Sequence, residues 1–243
     1  MTDTDPITPD GPSRDGAPQM FDRIAHRYDF LNRLLSGRRD VVWRKRLARM
    51  LPTGASIDVL DLATGTADVL IAVEETGRIG RGVGMDLSTQ MLDVGRGKLA
   101  ERGMNEKYLL MEGDAVEIPA EDASYDAVTI AFGIRNVLDV GKSLREMRRV
   151  LKPGGRALVL ECSVPENTAV RAGYLVYFRH VLPILGGMIS GDSKAYRYLN
   201  ETVESFPCGD AFLALMDDAG FEELQCVPMT LGVASIYRGD KPG

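Results

Sequence analysis

A chain of 243 residues, 44% hydrophobic and 26% charged, has an ordinary globular composition with enough apolar surface for a core. Its net charge of −6 argues against a nucleic-acid backbone as partner, since such binders rely on bulk positive charge. Two histidines, His26 and His180, and three scattered cysteines, Cys162, Cys208 and Cys226, give neither a zinc-ligand spacing nor a disulfide framework. The expectation is a reduced, cytoplasmic protein without a metal, whose reactive group arrives with a bound small molecule.

Residues 1–19 hold four Asp, four Pro and little apolar surface, and are expected to form a disordered leader rather than a secretory signal. Residues 20–51 predict N-terminal helices: Phe21, Ile24, Ala25 and Tyr28 share a face, as do Leu31, Leu34 and Leu35. Gly37 interrupts the pattern before Trp43, Leu47 and Met50 resume it. Strands and helices then alternate. The residues predict a strand at 57–62, a helix at 67–75, a strand at 81–86 and a helix at 88–102 with Ser88 as its N-cap. Strands follow at 108–112 and 125–132, then a helix at 142–151, stopped and turned by Lys152-Pro153-Gly154-Gly155 before a strand at 156–161. Residues 165–206 break the rhythm and predict a helical cap insertion. A helix at 210–219 and strands at 223–229 and 233–238 close the chain as an antiparallel hairpin edge. The prediction is an α/β fold: a doubly wound, mostly parallel seven-stranded sheet with helices on both faces, in a single domain over residues 20–243. No stretch offers the ~20 uninterrupted apolar residues of a membrane span.

Chemistry concentrates directly after the first strand, in Asp61-Leu62-Ala63-Thr64-Gly65-Thr66-Ala67-Asp68. Doubly wound sheets bind ligands at the carboxyl ends of their strands. Asp86 ends the second strand 21 residues beyond Gly65, a spacing that suits a carboxylate accepting both ribose hydroxyls of a nucleoside. Asp114-Ala115, past the third strand, is placed to meet an adenine edge. A dinucleotide wants G-x-G-x-x-G, but the run from Gly65 is G-T-A-D-V-L, a poor cradle for a pyrophosphate. S-adenosylmethionine carries no phosphate and needs one close backbone approach, plus an acid such as Asp61 near its amino-acid end. The residues favour it over a dinucleotide.

More specific runs occur in order: Phe21-Asp22-Arg23-Ile24-Ala25-His26-Arg27-Tyr28-Asp29, the 61–68 turn, Phe132-Gly133-Ile134-Arg135-Asn136-Val137, and residues 144–155. Gly191-Asp192, Ala195-Tyr196-Arg197-Tyr198-Leu199 and Ser205-Phe206-Pro207 follow. Over residues 20–239 the chain resembles the ubiquinone/menaquinone biosynthesis C-methyltransferases, a branch of the S-adenosylmethionine-dependent enzymes. The resemblance implies a Rossmann-like methyltransferase fold. It also implies methyl transfer to a ring carbon of a polyprenylated hydroquinone, either demethylmenaquinol or the benzoquinol of the ubiquinol pathway. Another apolar phenolic or lipid acceptor is the alternative. Family cofactor positions fall on Thr66, Asp86, Asp114 and Ala115, beside Asp61 and Gly65 of the turn. Two positions depart from the family: Ala67, where glycine is usual, is expected to add a methyl group beside the cofactor, and Ala131 stands where serine is frequent.

Such a reaction needs an acceptor carbon positioned against the methyl group and stabilisation of a developing phenolate. Arg135 is expected to stabilise the phenolate through its permanent charge, with simple pairing to a carboxylate as the competing reading. Asn136 is expected to orient the hydroxyl or a water, and Tyr28 to cover the site, or to pack beside Phe21 and Ile24. His26 and Asp29 are candidates for a base. Tyr174, Leu175, Tyr177, Phe178, Leu182, Ile184 and Leu185 are expected to line a groove for the prenyl tail, with hinges at Gly186-Gly187 and Gly191. Arg38, Arg39, Arg44, Lys45, Arg46 and Arg49, against Asp40 alone, form either a solvated helix face or a peripheral membrane contact. The expected partners are thus the prenylated quinol, a membrane surface and a second copy of the chain in a homodimer, with no nucleic acid.

Overall fold

The computed structural model describes residues 16–181 and 193–243. Helix α1 (Ala17–Leu35) starts at Ala17 rather than Met20, so the end of the expected leader is its first turn. Pro18 suits that place because the first helical N–H groups lack intrahelical partners. Gly37 and Arg38 both take positive φ and turn the chain into α2 (Arg39–Arg49). The alternating part then runs β1 (Ile57–Leu62), α3 (Asp68–Glu74), β2 (Ile79–Asp86), α4 (Thr89–Glu101), β3 (Tyr108–Glu112), β4 (Tyr125–Ala131), α5 (Val140–Val150) and β5 (Leu151–Cys162). The cap supplies α6 (Thr168–Val176), a π-helical turn (Tyr177–Val181) and α7 (Ser193–Ser205). Then come α8 (Asp210–Asp218), β6 (Glu222–Met229) and β7 (Ala234–Asp240).

The seven strands lie in the order β3-β2-β1-β4-β5-β7-β6. The first five pair in parallel, and β7 runs antiparallel to both β5 and β6. The hairpin edge is therefore present, with its second strand inside the sheet. Side chains alternate between two cores. Val59, Leu158 and Leu160 join Leu47, Leu70 and Val73 under α2, α3 and α4. Leu60, Leu62, Ala157 and Val159 join Leu144, Met147 and Phe212 under α5 and α8. Burial on both faces is why these strands read as near-continuous apolar runs, each buried Leu or Val contributing about 2 kcal/mol.

Local signals set the ends. Ser88 accepts from the Met91 amide at 3.2 Å as the expected N-cap of α4, and Asp139 caps α5 by accepting from the Lys142 amide at 2.7 Å. The expected stop after α5 holds, but residues 152–155 do not form a separate turn. They fold into β5 as a bulge, which skips the pairing from Tyr125–Leu151 to Ala127–Arg156. Winding proceeds outward from β1 through β2 to β3, then resumes on the other side at β4. That reversal opens a crevice at the carboxyl ends of β1, β2 and β4.

Candidate active site

The turn after β1 is compact and strained. Ala63, Gly65 and Ala67 all take positive φ, +46°, +53° and +65°. For the two alanines this costs about 1–2 kcal/mol each. The structure corrects the expectation for Ala67: it is fully buried, lines neither cavity, and holds a left-handed φ, the conformation that favours glycine. Asp61 is wholly buried beneath the turn, where Thr64 and Thr129 each donate a hydroxyl to it at 2.6 Å. Burial pushes its carboxyl up to about 7, against the lowering effect of those two bonds. The folded state thus holds a proton that the unfolded chain releases near 3.8. This contribution to stability is complete below that value and is lost as the pH rises toward about 7. Urea melts of Asp61→Asn are accordingly expected to lack part of the decline in unfolding free energy that the wild type shows between about pH 5 and pH 7; parallel profiles would contradict this.

Asp86 accepts from the Gly65 amide at 2.8 Å and from the Ser88 amide at 2.9 Å, which fixes its carboxylate at the crevice. Burial raises its pKa, against the opposing effect of the backbone donors. Two cavities meet above it. One, of about 270 Å³, lies at the strand ends and is lined by Ala63, Asp86, Leu87, Met91, Asp114, Ala115, Ala131 and Asn136, with Ala17 and Pro18 of α1. The other, of about 300 Å³, is mostly apolar and lies among α1, α2 and the cap, with Ile24, Leu31, Trp43, Arg135, Cys162, Tyr174, Tyr177, Phe178, Tyr198 and Leu199 in its wall. Phe21, Tyr28 and Phe132 line both.

Of the predicted nucleotide contacts, Asp86, Asp114 and Ala115 stand in the wall of the strand-end cavity. Asp61 lies below it, and Gly65 is tied to it by the hydrogen bond its backbone N–H donates to Asp86. Thr66 is turned elsewhere: its hydroxyl donates to Asp29 at 2.6 Å and accepts from Lys98 at 3.0 Å. Asp29 in turn takes the Lys98 ammonium at 2.6 Å. This engagement removes Asp29 as a base for the crevice. His26 is exposed and lines neither cavity, which removes it as well. The same contacts fasten α1 over the site at its middle, and Asp22 fastens its beginning by accepting from the Ser88 hydroxyl at 2.6 Å.

Arg135 is buried in the wall of the apolar cavity. Its Nη1 donates to Glu161 at 2.6 Å and to the Phe132 carbonyl at 2.7 Å, while Nε has no hydrogen-bond partner among the described residues. The pairing to a carboxylate is therefore present, and it leaves the guanidinium in the cavity wall with Nε buried and unpartnered. Burial opposes its charge, but Glu161 outweighs that and raises its pKa. Asn136 lies one residue on, in the helical turn Ile134–Asn136, and accepts from the Tyr198 hydroxyl at 3.1 Å. Burial raises the Tyr28 phenol above its ordinary value, against the lowering fields of Arg44 and Arg135, so Tyr28 is a protonated donor at neutral pH. Burial likewise pushes the Cys162 thiol up to about 12, which leaves no thiolate nucleophile.

Several wall residues carried no sequence assignment. Phe132 sits at φ +58° between the cavities, with the Arg44 guanidinium 5.3 Å above its ring. Its neighbour Gly133 has to be glycine, because a Cβ there would lie 2.4 Å from the Ala63 Cβ. Trp43 is helix core as its periodicity predicts, and its indole N–H also donates to the Thr230 hydroxyl at 2.8 Å in the wall of the apolar cavity. Of the expected tail-groove residues, Tyr174, Tyr177 and Phe178 line that cavity and Leu175 does not. Leu182, Ile184, Leu185 and the hinges at Gly186-Gly187 and Gly191 fall outside the described residues. The basic cluster is smaller than expected: Arg44 turns inward and pairs with buried Asp40 at 2.7 Å, and Lys45 pairs with Glu75 at 2.8 Å.

The sheet order, with an antiparallel β7 between β5 and β6 and a crevice at the strand ends, defines a Rossmann-like methyltransferase fold. A SAM-dependent methyltransferase from Thermotoga maritima shares it at a TM-score of 0.63 and 19% identity, over 92% of this chain and 98% of that one. The model of the ubiE/COQ5 methyltransferase family matches residues 13–241, and the chain belongs to that family. It is 47% identical to the demethylmenaquinone methyltransferase of Thermus thermophilus over 223 residues, which is 92% of this chain and all of that protein. It is 43% identical to the ubiquinone/menaquinone biosynthesis C-methyltransferase UbiE of Geotalea daltonii over 226 residues, which is 92% of this chain and 95% of that protein.

Proposed function

We infer that the chain transfers a methyl group from S-adenosylmethionine to a ring carbon of a prenylated hydroquinone. Demethylmenaquinol is the first acceptor to test, given the name of the Thermus relative. The observation that carries this reading is the pair of cavities across one aromatic wall, the apolar one with the Arg135 guanidinium in its lining.

The strand-end cavity fits S-adenosylmethionine. A Cβ built at Gly65 would meet no heavy atom within 4 Å, so a ligand can approach the backbone there. Asp86 would hold the ribose, Asp114 and Ala115 the adenine edge, and the buried Asp61 would support the turn beside the amino-acid end. Bound there, the cofactor supplies an electrophilic methyl group. The chain supplies the rest. Arg135, in the apolar cavity's wall, holds positive charge beside the acceptor oxygen as its phenolic proton passes to water, and the ring proton displaced by the incoming methyl group then restores the hydroxyl. Asn136 and protonated Tyr28 orient that oxygen, while Tyr174, Tyr177 and Phe178 hold the prenyl chain. Mass analysis of quinones from cells lacking the chain is expected to reveal a quinone short of one ring methyl group. An unchanged quinone profile would refute the reading.

The acceptor's tail belongs to a bilayer, and we extend the proposal to a peripheral membrane contact. No helix among the described residues is long and apolar enough to cross a membrane. Leu34, Val42 and Leu231 are exposed, as are Arg38, Arg39, Arg46 and Arg49, all on α1, α2, the loop between them or the turn before β7. Those segments also line the apolar cavity. Co-sedimentation with vesicles is expected to rise with their anionic lipid content; indifference to lipid charge would argue for a solvated face.

A further inference from the structure

The cap does more than cover the apolar cavity. Tyr198, on α7, lines that cavity, whereas Asn136 lines the strand-end cavity, and the 3.1 Å bond between them crosses the division. An amide has one acceptor and one donor end of nearly the same shape, so its useful orientation depends on what holds it. The Tyr198 hydroxyl donates to Oδ1, which leaves the two Nδ2 hydrogens for a ligand oxygen. The backbone at Asn136 is already fixed, its amide donating to the Gly133 carbonyl at 2.9 Å. The side-chain torsion is therefore the remaining freedom, and Tyr198 removes it.

We propose that Tyr198 is a positioning residue for methyl transfer: it sets the Asn136 amide with its donor end toward the reacting acceptor, and so makes turnover depend on the seating of α7. This rests on the methyl-transfer reading above. The bond acts through Asn136, so its loss lowers turnover without altering either cavity's shape.

The test is a double-mutant cycle with Tyr198→Phe and Asn136→Ala in the full chain. Tyr198→Phe keeps the ring in the cavity wall and is expected to lower kcat about fivefold to tenfold, the scale of one hydrogen bond, with KM for demethylmenaquinol and for S-adenosylmethionine within twofold of wild type. In the Asn136→Ala background the same change is expected to have no further effect on kcat. An unchanged kcat in Tyr198→Phe, a rise in acceptor KM alone, or equal losses in both backgrounds would overturn the proposal. The same cycle on unfolding free energy reads the Tyr198–Asn136 coupling without any turnover, and strictly additive losses there would also overturn it. Wild-type turnover on demethylmenaquinol reports separately on the methyl-transfer reading.

Discussion

Replacing Arg135 with alanine is expected to lower kcat by about 100-fold or more, the usual loss when a donor to a developing oxyanion is removed. The variant should also lose stability, for a separate reason. Glu161 is 1% exposed and would be left as a buried charge without its partner, a defect that costs about 3–5 kcal/mol. The two effects separate in the double variant Arg135→Met/Glu161→Gln. Removing both charges restores most of the stability, because the desolvated carboxylate is gone, yet turnover stays low because no guanidinium faces the acceptor. Cofactor affinity changes little in either variant, since Arg135 lines only the apolar cavity. Near-wild-type turnover in the double variant would remove Arg135 from the chemistry and leave it a structural ion-pair partner.

The second large effect is expected at Asp86. Its carboxylate closes the turn through Gly65 and the start of α4 through Ser88, and it faces the strand-end cavity. Asp86→Ala removes a charged acceptor, so affinity for S-adenosylhomocysteine should fall by about 10- to 100-fold. Thermal-shift titration checks this: S-adenosylhomocysteine stabilises the wild type at concentrations that leave the variant unmoved, and NAD stabilises neither. Stabilisation by NAD at comparable concentrations would restore the dinucleotide reading.

The architecture was legible because both periodicities are strong. Strands buried on two faces read as apolar runs, and caps such as Ser88 announce themselves by residue type. The bulge at 152–155 was not legible as part of a strand, because Pro and Gly look the same in a bulge as in a free turn. At the site, the residues that depend on strand ends were legible from topology alone: Asp86, Asp114 and Ala115 follow from where parallel strands stop. What lay hidden depends on tertiary contact. Ala67 looked like a crowding methyl group, since a left-handed φ leaves no mark in a single sequence. Asp29 reads as a candidate base, and only the packing of α1 against α4 shows that Lys98 and the Thr66 hydroxyl engage its carboxylate. Glu161 read as the last residue of an apolar strand, with nothing local to announce a partner 26 residues earlier. Arg44 read as one of a surface cluster, yet it ends up buried against Asp40 and over Phe132.

Two cavities sharing Phe21, Tyr28 and Phe132 are proposed to bring a methyl donor to a ring carbon. The most direct measurement incubates the purified chain with methyl-labelled S-adenosylmethionine and demethylmenaquinol in detergent micelles and locates the label in the product by NMR. The expected result is label on a ring carbon, formed together with S-adenosylhomocysteine in equal amount. Label on oxygen, or cofactor bound without transfer to the quinol, would contradict it.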